Sequence, residues 1–110
     1  MDPQEFQNAL REILADEAKK QNLELDPVAL NVIASRGGIN FTNRFGPGIT
    51  DDFTARDLPR VRDVSARLLT ELATQVIPSP DGTIKITGNM VSNFFKGFCD
   101  RFPDFFPFCV

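Results

Sequence analysis

A mainly α fold, a compact four-helix domain with a short two-stranded β-ribbon, is what this sequence predicts, and three observations carry the expectation. Capping residues stand directly before helical stretches at Asp2-Pro3, Asp26-Pro27 and Thr87-Gly88. Apolar residues recur at helical spacing through residues 57–77 and 88–102. Strand-like alternation is confined to two very short segments. A chain of 110 residues holds one domain, and a domain of this size buries roughly 65% of the surface of its unfolded chain.

The first helix is predicted over residues 3–21, opened by Asp2 as N-cap, Pro3 at the first helical position and Glu5 to complete a capping box. Its apolar stripe is Phe6, Leu10, Ile13 and Leu14, and Glu17 falls on the same face, read as a last turn running past the core edge. The second helix is predicted over 27–36; it is apolar nearly all round and therefore central, and Gly37-Gly38 are read as its stop. A glycine-rich loop over 37–56 follows, with Ile39 and Phe41 alternating as in a strand and Gly46-Pro47-Gly48 marking a turn. The third helix, over 57–77, carries the broadest apolar arc: Val61, Val64, Leu68, Leu69, Leu72 and Val76. Residues 83–87 alternate again, and the expected ribbon pairs them with 39–42. The fourth helix, over 88–102, presents Met90, Val91, Phe94, Phe95, Phe98 and Phe102 as one face before Pro103 ends it. An apolar tail over 103–110 closes the chain.

Composition removes several chemistries. Histidine, tryptophan and tyrosine are absent, which excludes triads and dyads built on imidazole and every His-ligated metal. Acid and base chemistry would fall to carboxylates, lysine or cysteine alone. Asp51-Asp52 and the pair Asp100 and Asp104 read as turn and capping residues. No catalytic, cofactor-binding or metal-binding residue is therefore assigned, and no cofactor is expected. Net charge is -3, so the chain as a whole offers phosphate polymers no long-range attraction.

Cys99 and Cys109 stand ten residues apart, a spacing that fits no zinc motif. The opening residues MDPQEFQNALREIL carry no basic stretch followed by an apolar run. A cytoplasmic protein with free thiols, and with no transmembrane segment, is the resulting expectation.

Two groups of side chains remain as candidates for recognition. Seven of the eleven phenylalanines fall between positions 94 and 108. Phe98, Phe102, Phe105, Phe106 and Phe108 are accordingly read as a partner-binding surface, with Arg44 and Phe45 of the glycine loop as a second contact. Arg36, Arg56, Arg60 and Arg67 form a candidate phosphate-binding set together with Arg44, although Asp63 and Glu71 at i,i+4 spacing to Arg67 also describe a solvated ion-pair face. Arg62 lies at the edge of the apolar arc and is paired, on this reading, with Glu17.

The function read from these features is a small cytosolic interaction or regulatory protein that acts by binding. Its partner is another protein, or a second copy in a homodimer. Nucleic-acid or phosphate binding through the arginines is the alternative, and a small carboxylate- or thiol-based enzyme is the third reading.

Overall fold

The computed structural model describes residues 1–109 of the chain. Its helices are α1 (Pro3–Lys20), α2 (Pro27–Phe45), α3 (Leu58–Ala73) and α4 (Gly88–Arg101), with strands β1 (Leu23–Leu25) and β2 (Ile84–Ile86). The mainly α, four-helix domain with a small two-stranded sheet is thus observed. Among the described residues no helix is long and apolar enough to cross a membrane.

α1 begins as its sequence dictates. The Asp2 carboxylate accepts from the Glu5 amide at 2.8 Å while the Asp2 amide donates back to Glu5, the reciprocal arrangement that satisfies two free donors of a helix start. Phe6, Leu10, Ile13, Leu14 and Ala18 enter the core. Glu17 is buried with them, which corrects the reading of that turn as lying beyond the core. The burial is compensated: Lys20 Nζ lies 3.2 Å and Arg62 Nη1 3.9 Å from Glu17 Oε2. Arg62 is therefore the partner of Glu17, and it reaches Asp16 as well, at 3.6 Å.

α2 does not stop at Gly37-Gly38 but runs on to Phe45. Consecutive glycines end a helix only where the chain turns left-handed, and that happens at Gly46, whose φ is +88°. Gly37 serves packing instead. A Cβ built there would lie 2.3 Å from Leu10 Cδ2, so the missing side chain lets α1 press against the α2 backbone. Residues 39–42 are consequently helical rather than a strand: Phe41 is in the core and Ile39 faces outward.

β2 pairs with β1, and the pairing is parallel, with Leu23 opposite Ile84, Glu24 opposite Lys85 and Leu25 opposite Ile86. Each strand feeds directly into a capped helix, β1 through Asp26 into α2 and β2 through Thr87 into α4. Two strand-to-helix units in the same orientation thereby lay α2 and α4 side by side. α3 is shorter than the predicted 57–77, starting after the single 3₁₀ turn Ala55–Asp57 and ending at Ala73.

The phenylalanines fill the interior in two clusters. Phe6, Phe41, Phe45, Phe53 and Phe106 gather at one end, with Phe6 stacked on Phe41 at 4.4 Å between centroids. Phe94, Phe95, Phe98, Phe102 and Phe105 gather along α4. Phe98, Phe105 and Phe108 are buried within the chain, and Phe102 and Phe106 are half-buried. The tail folds back on its own domain, so Phe98, Phe105 and Phe108 offer a partner no surface.

The glycines separate packing from propensity. Gly37→Ala is expected to lower stability, because overpacking against the fully buried Leu10 costs about 1–3 kcal/mol, against a helix-propensity gain of at most about 1 kcal/mol. Gly97→Ala, on α4 with open space where a Cβ would go, is expected to raise stability by about 1 kcal/mol. Urea unfolding followed by far-ultraviolet circular dichroism checks both.

Candidate functional site

A cleft of about 650 Å³ opens between the end of α2, the loop after it, the first turns of α3 and the C-terminal tail. Its volume lies in the range typical of small-molecule and peptide-sized sites. Each wall has a local cause. The continuation of α2 past Gly37 carries Asn43, Arg44 and Phe45 to the cleft. The loop is held by Met1, whose backbone nitrogen lies 2.7 Å from the Thr50 carbonyl while the Thr50 amide donates back to Met1 O at 3.1 Å. That tie, with Phe53 buried, fixes Asp52 at the rim. A second capping box, Thr54 with Asp57, sets the start of the turn before α3 and brings Asp57 and Arg60 to the same opening.

The tail forms the remaining wall through Pro103, Asp104, Phe106 and Cys109. It is fastened to α2 by two side chains. Asn40 Nδ2 donates to the Pro107 carbonyl at 2.7 Å, and Arg36 Nε donates to the Phe108 carbonyl at 2.8 Å. Asn40, the first residue of an Asn-Phe-Thr sequon, is thereby sealed in the interior. Cys99 and Cys109 are joined by a disulfide with their Cα atoms 5.4 Å apart, which corrects the expectation of free thiols. A spacing of ten residues is compatible with either state, and the fold-back of the tail brings the two residues to bonding distance.

The floor is apolar, made by Phe45, Phe53, Phe106, Val61 and Val64. The rim is charged, with Arg44, Arg60, Asp52, Asp57 and Asp104 around it. Among the described residues none of these five makes an ion pair within the chain. The Arg44 guanidinium instead lies over the Phe106 ring, 4.7 Å from its centroid, a cation–π contact that keeps the charge close to the apolar floor.

The structure therefore brings together four of the residues singled out by sequence: Arg44, Phe45, Arg60 and Phe106. It disperses the other arginines. Arg36 lies behind the tail, over the Phe95 ring at 4.2 Å and with Nη2 3.4 Å from Cys99 Sγ, and burial lowers its pKa from the ordinary arginine value. Arg67 lies 5.5 Å from the centroid of Phe105, and Arg56 is exposed without lining the cleft. Five guanidinium groups converging on one phosphate is not the arrangement found.

The cleft residues that sequence reasoning did not assign to a site are the rim carboxylates Asp52, Asp57 and Asp104. Two of them belong to the acid pairs noted as turn residues, and nothing local distinguishes a capping aspartate from one that also borders a cleft. A shallower groove runs along the outer face of α2, where Val28 and Ile39 are 59% and 61% exposed on either side of Val32 and Ser35. No cluster of three or more metal-ligating side chains occurs among the described residues. Comparison with known proteins finds no matching family, no similar characterised sequence and no similar solved structure.

Proposed function

We propose that this chain is a small, non-catalytic interaction or regulatory protein that receives a segment of a partner protein in the cleft between α2, α3 and the tail. The observation that carries the reading is the charge pattern around the aromatic floor. Arg44 and Arg60 share the opening with Asp52, Asp57 and Asp104, and among the described residues no ion pair joins them. Such a site suits a peptide with one apolar anchor side chain and charges of both signs beside it, since complementary charges fix register while the anchor supplies burial. A nucleic acid fits less well, because three carboxylates border the same opening as the two arginines and would repel its backbone. Self-association through the tail is less well supported, because among the described residues no phenylalanine is fully exposed.

The test is quantitative capture of partners from lysate by the intact protein, followed by titration of the recovered protein against Arg60→Glu and Ile39→Asp. The expected result is about tenfold or weaker binding by Arg60→Glu, since a rim charge acts on both association and register, with Ile39→Asp unchanged. Loss of binding by Ile39→Asp alone would move the site to the outer face of α2. Retention of RNA or DNA with a steep salt dependence would establish the phosphate reading instead. A dimer by sedimentation would return the second copy as the partner.

A further inference from the structure

The two sulfurs of the disulfide stand in different surroundings. Cys109 borders the cleft, whereas Cys99 does not line it. Behind Cys99 stands Arg36, its Nη2 3.4 Å from Cys99 Sγ. Two contacts hold the guanidinium there, the hydrogen bond from Nε to the Phe108 carbonyl and the face of the Phe95 ring. Among the described residues no carboxylate pairs with it, and its nearest charged atoms lie beside the Cys99 sulfur.

We propose that Cys99–Cys109 is a thiol–disulfide exchange site, attacked at Cys109 from the cleft by a dithiol reductant, with Cys99 as the leaving thiolate. The incoming thiolate forms a new S–S bond to Cys109 Sγ as the Cys99–Cys109 bond breaks, and the bonding electron pair passes to Cys99 Sγ. The reductant's second thiolate then attacks its own sulfur in that mixed disulfide and releases Cys109, which takes up a proton from solvent. The chain's disulfide has gained two electrons and the dithiol has become a disulfide.

The direction follows from the charge. A sulfur beside a guanidinium is the better thiolate, and exchange is faster when the departing thiol has the lower pKa. Cys109 is 2% exposed and Cys99 half-buried, so access alone favours Cys99, and attack at Cys109 accompanies a local opening of the tail at the cleft, a motion that terminal segments make more readily than core elements. The chemistry stands independently of the peptide-binding reading, although it would act on the same cleft, whose wall includes Pro103, Asp104 and Phe106.

The experiment mixes oxidised protein with glutathione, a monothiol, quenches with N-ethylmaleimide at early intervals, before a second glutathione or the freed thiolate resolves the mixed disulfide, and maps both cysteines by mass spectrometry. Glutathione is expected on Cys109 and maleimide on Cys99. Arg36→Gln is expected to slow the reaction about threefold or more, with Arg36→Lys close to the parent rate, since a fixed cation lowers thiol pKa by a unit or more in such sites and exchange rates follow roughly half of such a change on a logarithmic scale. Glutathione on Cys99, or an unchanged or faster rate in a folded Arg36→Gln, would overturn the proposal. Should circular dichroism show Arg36→Gln unfolded, the labelling pattern of the parent protein and the rate of Arg36→Lys decide.

Discussion

Replacing Phe98 by alanine is expected to destabilise the domain by about 3–5 kcal/mol, the range for removing a fully buried aromatic ring. Phe98 is fully buried, and rings surround it, with centroids of Phe94 at 4.6 Å, Phe102 at 4.8 Å and Phe105 at 5.2 Å. The cavity left behind would collapse poorly. Phe94 and Phe102 sit on the same helix, and Phe105 belongs to a tail tethered through Cys109. Domains of this size have about 5–15 kcal/mol in total, so the single change would remove roughly a fifth or more of the margin. Urea unfolding by circular dichroism measures it, since the chain lacks the Trp and Tyr that fluorescence would use. Ile77→Ala, at a side chain 91% exposed, serves as the control and should stay within about 0.5 kcal/mol. The same comparison separates a ring of the core from a ring of an interface: an interface ring would weaken association and leave monomer stability nearly intact.

How much of this was legible beforehand depends on whether the signal is local. α1 and α4 were readable because cap, stripe and stop all lie within one segment: Asp2 with Glu5 for the first, Thr87 and Pro103 for the second. The end of α2 was misplaced because glycine is ambiguous in sequence. Gly37 and Gly46 are the same residue type, yet one permits a close approach by Leu10 and the other turns the chain at φ +88°. Only the tertiary partner distinguishes them. The ribbon and its second strand are legible, but its first strand is misplaced for a related reason. Leu23-Glu24-Leu25 alternates just as Ile84-Lys85-Ile86 does, and both stand directly before a helix cap, but a three-residue alternation between two helices is too short to rise above its flanks.

The site divides along the same line. Arg44 and Phe45 were expected as contact residues from the length of the glycine loop, and they do line the cleft. They do so from the last turn of α2 rather than from a loop. The opposing wall could not be read at all, since the return of the tail depends on Arg36 and Asn40 meeting backbone carbonyls 72 and 67 residues away. The phenylalanine excess pointed outward on composition and inward in space. A tail that crosses the end of a helical domain gives aromatic rings an interior that the helices alone do not supply.

Removing the disulfide is the change expected to show how far that crossing depends on the covalent link. The bond closes a loop with a sequence separation of 10, and restricting the unfolded chain by a loop of about this length stabilises the native state by about 2–3 kcal/mol. For Cys99→Ala with Cys109→Ala, the melting temperature should therefore fall by roughly 10–20 °C, given the shift per kcal/mol in domains of this size. Dithiothreitol should lower the melting temperature of the parent protein by a similar amount and leave the double variant unmoved. Helicity at room temperature should survive in both, because Phe105 and Phe108 remain buried and the bonds from Asn40 and Arg36 to the tail do not pass through sulfur. The expected picture is a tail still docked but opening more often, which hydrogen exchange at the amides of Phe108 and Cys109, both bonded to the Phe105 carbonyl, would register as faster exchange than at the amides within α1. Equal melting temperatures with and without the bond would mean that the noncovalent contacts of the tail alone set its position.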